Sequence, residues 1–158
     1  MSRNAFGAMA LRVTEFLANL GRRLPIETTL AGGDDPDGLC TVESIDILGE
    51  AFAQLSTLYL DVTLRARLTQ PCRRCLEPVE TILEIEETFE VPIPTNVESV
   101  DLLPIALRLV WSAHEPNVVC RPDCRGLCPV CGANLNREPD HVCPSKESDR
   151  TTLRDLLS

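Results

Sequence analysis

The residues of this chain best suited to chemistry are its cysteines. Seven of the eight lie either in "PCRRCLEP" at 71–78 or between positions 120 and 143, where the stretch "CRPDCRGLCPVCGANLN" begins. Each stretch contains a Cys-x-x-Cys pair, a spacing that lets two thiolates face one ion while backbone amides of the tight turn donate toward sulfur. His141 stands two residues before Cys143. Seven thiolates and one imidazole make eight ligands, the number that two tetrahedral metal sites require.

The simplest division of these ligands forms two groups. A first group of four cysteines joins the two stretches, and a second group lies within the later stretch. Four protein ligands close a tetrahedron and leave no position for water, so we expect two structural zinc ions. A single ion, or an iron–sulfur cluster on four cysteines, is the alternative. The first group consists of Cys72, Cys75, Cys120 and Cys124, and the second group consists of Cys128, Cys131, His141 and Cys143.

Other roles for these residue types fit the pattern less well. The first residues contain no recognisable secretory signal, although their arginines leave an organellar transit peptide as an alternative, so we expect a reducing, cytoplasmic setting in which stable disulfides are rare. A redox pair of the thioredoxin type begins a helix, whereas Cys72 and Cys75 lie between two predicted strands. We interpret Cys40 as a small core residue and His114 as a capping or surface histidine.

Charge is spread unevenly along the chain. The formal net charge is −9, and the segment from Leu76 to Asp101 contains eight acidic residues and no basic one. A negative molecule repels a nucleic-acid backbone, which favours a basic protein partner; the alternative is that the acids only solvate one face of a sheet. Arginines near the cysteines could contact an RNA phosphate or an acidic partner, because a planar guanidinium binds two oxygens at once. These arginines are Arg73, Arg74, Arg121 and Arg125.

The hydrophobic pattern predicts the elements that must position the cysteines. Residues 57–69 and 79–91 alternate between apolar and polar side chains, which is the period of half-buried strands. We expect them to pair as an antiparallel hairpin with Cys72 and Cys75 in its connection. Further elements are predicted as strands at 24–30 and from Cys40 onward, and as helices within 1–23, at 101–113 and in the tail 148–158, where Leu153, Leu156 and Leu157 share one side.

Together these elements predict an α+β fold. We expect an antiparallel sheet of about four to six strands, open or barrel-like, with few helices and a cysteine-rich, zinc-binding C-terminal module. Residues 1–113 form the core domain in this prediction, and residues 114–158 form the zinc module with a C-terminal helix that packs on the core. No apolar run approaches the ~18 residues of a membrane span, so no membrane is expected as a partner. A small-molecule substrate is not expected either.

Several of these motifs resemble those of the YceD family. The resemblance covers roughly residues 11–158 and rests on "PCRRCLEPVE" at 71–80, the acidic strand after it, "DLL" at 101–103, the stretch at 120–136 and "LRDLL" at 153–157. Family members usually carry a Cys-x-Cys pair where this chain has His141-Val142-Cys143, which exchanges one zinc ligand type for another. The helix after Asp101 also lacks the acidic residues that are common in the family.

The resemblance implies a cytoplasmic factor for the synthesis, processing or stability of 23S ribosomal RNA, and hence for biogenesis of the large ribosomal subunit. Its partner would be large-subunit precursor RNA or a basic ribosomal protein, and family genes commonly neighbour the gene of a small zinc-ribbon ribosomal protein. We therefore expect a noncatalytic factor. A chaperone for one basic ribosomal protein is the alternative. A metal-dependent ribonuclease is disfavoured, because the sequence shows no grouping of Asp, Glu and His suited to catalytic magnesium.

Overall fold

Two antiparallel sheets and two short helices make up residues 10–34, 38 and 40–143, the part of the chain that the computed structural model describes. The strands are β1 (Ala10–Arg12), β2 (Leu24–Asp34), β3 (Thr41–Gln54), β4 (Thr57–Pro71), β5 (Pro78–Pro92) and β6 (Ser99–Asp101), and the helices are α1 (Thr14–Ala18) and α2 (Leu103–Ala113). The larger sheet is a meander in the order β2-β3-β4-β5, and the smaller sheet pairs β1 with β6.

The hairpin of β4 and β5 forms as the alternation predicts. Along β4, Leu58, Leu60 and Leu64 are fully buried, whereas Asp61 and Arg65 on the alternate positions are exposed. The pairing of the two strands runs without interruption from Thr57–Pro92 to Pro71–Pro78. Because side chains alternate between the faces of a strand, one face of the sheet is apolar and buried and the other is polar. The predicted strands at 24–30 and from Cys40 are also confirmed, in longer form, as β2 and β3.

The larger sheet is open, so the barrel-like arrangement considered above is not supported. Strands β2 and β5 are its two edges, and they do not pair with each other. Helix α2 lies against the buried face and contacts both edge strands, while α1 contacts β3. Ala106 and Val110 of α2 are fully buried in the main hydrophobic core. The helix therefore occupies the space through which the two edges would have to meet.

The helix predicted within residues 1–23 is wrong over most of its described length. Residues Ala10–Arg12 pair with Ser99–Asp101, and this pairing holds their backbone extended. Helix α1 then extends over only five residues, and Gly21 adopts a positive φ of 78° shortly after it. Val13 and Phe16 are buried, but Leu20 is 59% exposed. Residues 1–9 and the predicted C-terminal helix with its packing lie outside the described residues.

A smaller cluster of buried residues, separate from the main core, lies at the tip of the hairpin. It contains Cys72, Cys75 and Cys124, with Val119 and Leu127 packed against them. The long hairpin thus carries its tip beyond the main core, to where the segment after α2 can reach it. Within the described ranges, no helix is long and apolar enough to cross a membrane.

Candidate metal centres

The connection between β4 and β5 is a tight turn that presents two cysteines. The Cys72 N–H donates to the Glu77 carbonyl (2.7 Å), and the Leu76 N–H donates to the Cys72 carbonyl (2.9 Å). Leu76 takes a positive φ of 62°, a conformation that turns the chain back toward β5. The turn is therefore closed by its own backbone, and Cys75 is held near Cys72.

The segment after α2 docks on this turn and brings two more cysteines. The Arg73 N–H donates to the Val118 carbonyl (2.8 Å), which fixes the segment beside the hairpin tip. Sulfur atoms then meet across the junction: Cys72 Sγ lies 3.8 Å from Cys124 Sγ, and Cys75 Sγ lies 3.6 Å from Cys120 Sγ. The four sulfurs of the first group all lie within 4.8 Å of one another.

The sulfur spacing of the first group fits a tetrahedral ion. With a zinc–sulfur distance of about 2.3 Å, two sulfurs on the edge of a regular tetrahedron lie about 3.8 Å apart. The two measured separations match that edge. Three of the four cysteines are almost fully buried, so an ion bound there would be shielded from water. The structure thus forms the first group from the cysteines that the sequence predicted.

Hydrogen bonds favour the thiolate form of two sulfurs in the first group. Burial raises the pKa of Cys72, but N–H donors of the turn and of Cys120 outweigh it and lower that pKa to about 6. A hydrogen bond from the Asn136 side chain lowers the pKa of Cys124. Burial instead raises the pKa of Cys120 to about 12, and the pKa of Cys75 is also raised, where burial and the neighbouring sulfurs outweigh an N–H from Glu77. Before an ion binds, the first group therefore retains protons that the ion must displace.

The second group forms around a tight turn at 128–132, the Cys-Pro-Val-Cys-Gly segment, which we call the knuckle. The Gly132 N–H donates to the Cys128 carbonyl (2.9 Å), and Gly132 takes the positive φ of 76° that this turn requires. N–H donors of Cys131 and Val130 lower the pKa of Cys128 to about 6. Burial raises the pKa of Cys143 to about 11.

His141 belongs to the second group by its geometry. Its Nε2 lies 3.2 Å from Cys131 Sγ, and its Nδ1 lies 3.2 Å from a carboxylate oxygen of Glu138. A carboxylate on one ring nitrogen orients the imidazole and leaves the other nitrogen for an ion. The ligand atoms of the second group lie within 4.8 Å of one another, and Cys131 is exposed. Both groups can therefore hold a metal ion, and the second group is the more accessible one.

The arginines that the sequence singled out are mostly engaged within the module. The Arg74 guanidinium donates to the carbonyls of Pro122 (3.3 Å) and Cys124 (3.1 Å), and that of Arg125 donates to the Pro139 carbonyl (2.8 Å). Arg121 lies 3.5 Å from the carboxylate of Asp123 at the surface. These side chains join segments of the module, a role that the clustering of charge in the sequence did not indicate.

Three residues of the site were not singled out by the sequence analysis. Asn134 and Asn136 belong to the quoted "GANLN" motif, and Glu77 belongs to the turn. Asn136 donates from Nδ2 to Cys124 Sγ (3.3 Å), and Asn134 donates from Nδ2 to Glu77 Oε1 (3.2 Å). Polar residues next to a Cys-x-x-Cys pair indicate that hydrogen bonds to the metal ligands or to neighbouring turns can form. Which atom each asparagine contacts is shown only by the fold.

Cys40 and His114, which the sequence analysis did not interpret as metal ligands, lie outside both groups. Cys40 is buried in the main core, 3% exposed. His114 is the C-cap of α2, where its Nδ1 lies 2.6 Å from the Trp111 carbonyl. Among the residues that the structure describes, neither Cys40 nor His114 belongs to a group of possible ligands.

Comparison with known proteins finds relatives without an established role. The chain is 32% identical over 94 residues to uncharacterized proteins of Mycobacterium tuberculosis and Mycobacterium bovis. The matched region covers 50% of this chain and 45% of each relative, so the chain spans less than half the length of the curated relatives it matches. No protein-family model and no solved structure matches the chain.

Proposed function

We propose that this protein is a noncatalytic factor for 23S ribosomal RNA accumulation, through synthesis, processing or stability, and for large ribosomal subunit biogenesis, with structural zinc in both cysteine groups. The proposal is carried by one observation: the motifs that resemble the YceD family, at 71–80 and 120–136, converge and, together with His141 and Cys143, form two four-ligand groups. Four protein ligands around an ion leave no open position for a substrate, which supports a structural role for the metal.

The exposed face of the larger sheet supports contact with a basic partner. Cross-strand pairing places Glu50 beside Asp61, and Arg23 lies 3.6 and 3.9 Å from their carboxylates. In the described strands, at least eight carboxylates share this face with Arg65 and Arg67, so the face carries a strong negative potential. The eight acids are Glu27, Asp46, Glu50, Asp61, Glu80, Glu84, Glu86 and Glu90.

A depression at the middle of this face suits a basic side chain. It has a volume of about 450 Å³, and its lining includes Leu48, Arg65 and the three acidic residues Glu27, Asp46 and Glu84. Leu48 is 59% exposed although it is a large apolar residue. Three carboxylates outnumber the one guanidinium, so the depression complements a further lysine or arginine, whose aliphatic stem packs on apolar surface while its charge lies among anions.

The second candidate function, a chaperone for one basic ribosomal protein, is favoured by the engagement of the arginines. Because the guanidinium groups of Arg74 and Arg125 donate to carbonyls of the module, fewer cations are available to bind an RNA backbone than the sequence suggests. The acidic sheet face, by contrast, is exposed and broad. Contact with a basic ribosomal protein would then change RNA accumulation indirectly.

Affinity purification of the tagged protein from its own cells, with and without nuclease, tests both candidates. We expect large-subunit precursor RNA or ribosomal proteins to be enriched over a tagged control. A basic protein that stays bound after nuclease treatment supports the chaperone candidate, and a partner lost with the RNA supports direct RNA contact. Absence of both classes contradicts the ribosomal function.

Charge reversal on the sheet face tests whether that face binds the partner. The variant Glu84→Lys changes the charge of the face by two units in the positive direction, and we expect it to recover less of the basic partner. The variant Glu98→Lys is the matched control, because Glu98 is exposed in the connection between β5 and β6, outside the larger sheet. Equal loss in both variants would assign the effect to net charge alone.

The ribonuclease alternative has its own test. Among the described residues, the side chains that could hold a metal ion form two groups, and neither contains a carboxylate. Catalytic magnesium prefers oxygen ligands, so this composition supports a noncatalytic protein. We expect the purified protein not to cleave precursor RNA when magnesium is added. Metal-dependent cleavage that a glutamate substitution abolishes would overturn that expectation.

A further inference from the structure

The loop at 132–137 lies between the two ligand groups and contacts both. Its start completes the knuckle of the second group, since the Cys128 N–H donates to the Ala133 carbonyl (2.8 Å). The loop then folds back on the segment that joins the groups: Leu127 forms a β-bridge with Asn134, and the Leu135 N–H donates to the Gly126 carbonyl (2.9 Å). The conformation of this loop therefore depends on the knuckle.

Asn136 reaches from this loop to a sulfur of the first group. Its Oδ1 accepts a hydrogen bond from the Arg125 N–H (2.9 Å), and its Nδ2 donates to Cys124 Sγ (3.3 Å). Because the backbone N–H requires the carbonyl oxygen of the amide, the NH₂ must face the sulfur. The Asn136 N–H donates in turn to Asn134 Oδ1 (3.0 Å), so the two asparagines hold each other in place.

Glu77 joins the same loop to the hairpin. Its carboxylate accepts from Asn134 Nδ2 (3.2 Å) and lies 2.6 Å from a guanidinium nitrogen of Arg137. Its backbone carbonyl accepts the Cys72 N–H, within the turn that presents Cys72 and Cys75. The loop thus contacts both parts of the first group. Glu77 joins it to the hairpin turn that carries Cys72 and Cys75, and Asn136 joins it to Cys124.

We propose that Asn136 and Glu77 are positioning residues that couple the two groups, so that an ion in the second group strengthens ion binding in the first. An ion at Cys128 and Cys131 fixes the knuckle and the start of the loop. The ordered loop then holds the Asn136 amide on Cys124. This inference rests on metal binding by both groups, which is part of the proposed function. Because coupling between two sites is reciprocal, an ion in the first group strengthens binding in the second by the same factor.

Cadmium-113 NMR of the full chain, in competition with a chelator, tests the coupling. The two groups give separate resonances, because the shift of cadmium depends on how many thiolates coordinate it. We measure the cadmium affinity of the first group in the unaltered protein, in Cys131→Ser, in Asn136→Ala and in the double variant. Both single changes are expected to weaken binding by about tenfold, the effect typical of removing a hydrogen bond to a ligand, and the double variant is expected to be no weaker.

The chemical shift of cadmium in the first group distinguishes loss of the hydrogen bond to sulfur from a general loosening of the loop. Loss of the amide donor alters the electron density on Cys124, so the resonance of the first group should shift in Asn136→Ala. Asn136→Asp is a second variant, because it keeps the acceptor for the Arg125 N–H and removes the donor to sulfur. Asn117→Ala is the matched control, since Asn117 is exposed and lies outside both ligand groups and outside the loop at 132–137. An unchanged affinity and resonance in both Asn136 variants would overturn the proposal.

The same titration separates failure of the coupling from failure of the proposed function. If two ions bind and Cys131→Ser leaves the affinity of the first group unchanged, only the coupling is wrong. If the effect of Cys131→Ser persists in full in the Asn136→Ala background, Asn136 does not carry the coupling. If neither resonance appears, the metal-binding part of the proposed function is wrong, and the coupling with it.

Discussion

Cys72 takes part in the hairpin turn, in the junction with the segment after α2 and in the first ligand group. It is fully buried, its sulfur accepts hydrogen bonds from the N–H groups of Arg74 and Cys120, and its own N–H closes the hairpin turn. Its sulfur also lies across the junction from Cys124. A change at this residue therefore acts on the turn, on the junction and on the first group at once.

Replacing Cys72 by serine should reduce the number of bound zinc ions from two to one. A hydroxyl is a poor zinc ligand, so the first group loses its ion, while the second group still has four ligands and keeps its ion at saturating zinc. Native mass spectrometry of the purified variant gives the stoichiometry. Cys40→Ala is the control, because Cys40 is equally buried but lies in the main core. Loss of both ions would show that the ligands are divided differently.

The raised thiol pKa values predict that metal binding by the first group weakens as pH falls. Cys75 and Cys120 have pKa values above the ordinary cysteine value, so both are protonated at neutral pH and an ion must displace both protons. Each displaced proton makes affinity change about tenfold per pH unit, so we expect about a hundredfold loss for each unit of acidification near neutrality. Chelator competition across that range, corrected for the chelator's own protonation, measures the slope. A flat profile would mean that the group binds as preformed thiolates.

At the scale of elements, β4 carries the centre of the core. Its buried residues belong to the main hydrophobic core together with residues of α2 and the other strands, whereas the residues on the opposite face of the sheet are exposed. A buried leucine that is truncated loses apolar contact and leaves a cavity, and an exposed one loses little. The two faces of one sheet should therefore respond differently to the same substitution.

Leu64→Ala should lower the free energy of unfolding by about 2–5 kcal/mol, because Leu64 is fully buried. Leu48→Ala, on the exposed face of the adjacent strand β3, should change it by no more than about 0.5 kcal/mol. Urea denaturation followed by circular dichroism measures both values. An equally large loss of stability in Leu48→Ala would contradict the description of this sheet face as exposed to solvent.

At the scale of the whole molecule, the main core and the cysteine module are packed separately. The main core contains the sheet and both helices, while the buried cysteines of the hairpin tip pack with Val79, Val119 and Leu127. Within its described residues, 114–143, the module contains little other buried apolar surface, so an ion would supply much of the stability of this part. The sheet, in contrast, has a continuous apolar layer of its own.

If the groups hold zinc as proposed, its removal should unfold the described part of the module and leave the sheet intact. We expect backbone amides at 118–143 to exchange faster after chelator treatment, while amides in the middle of β3 and β4 keep their protection. Hydrogen exchange followed by mass spectrometry resolves these segments, and the same chelator already saturated with zinc is the control. Parallel loss of protection in β3 and β4 would contradict separate packing.

The sequence by itself determined the strands and the ligand types. Period-two alternation specified β4 and β5 and placed Cys72 and Cys75 in their connection, because that pattern follows from the geometry of a single strand. Cysteine spacing specified the ligands, because two residues between thiols suffice to turn the chain around an ion. Both signals are local, and neither requires knowledge of the rest of the fold.

Only the tertiary structure decided how distant segments meet. It paired residues 10–12 with 99–101 in place of a longer N-terminal helix, and it left the larger sheet open with α2 against both edges. It also directed Arg74 and Arg125 to carbonyls within the module and Asn136 to a sulfur of the first group. The partner of a polar side chain depends on which segments pack beside it, and that packing arises from contacts between residues far apart in the chain.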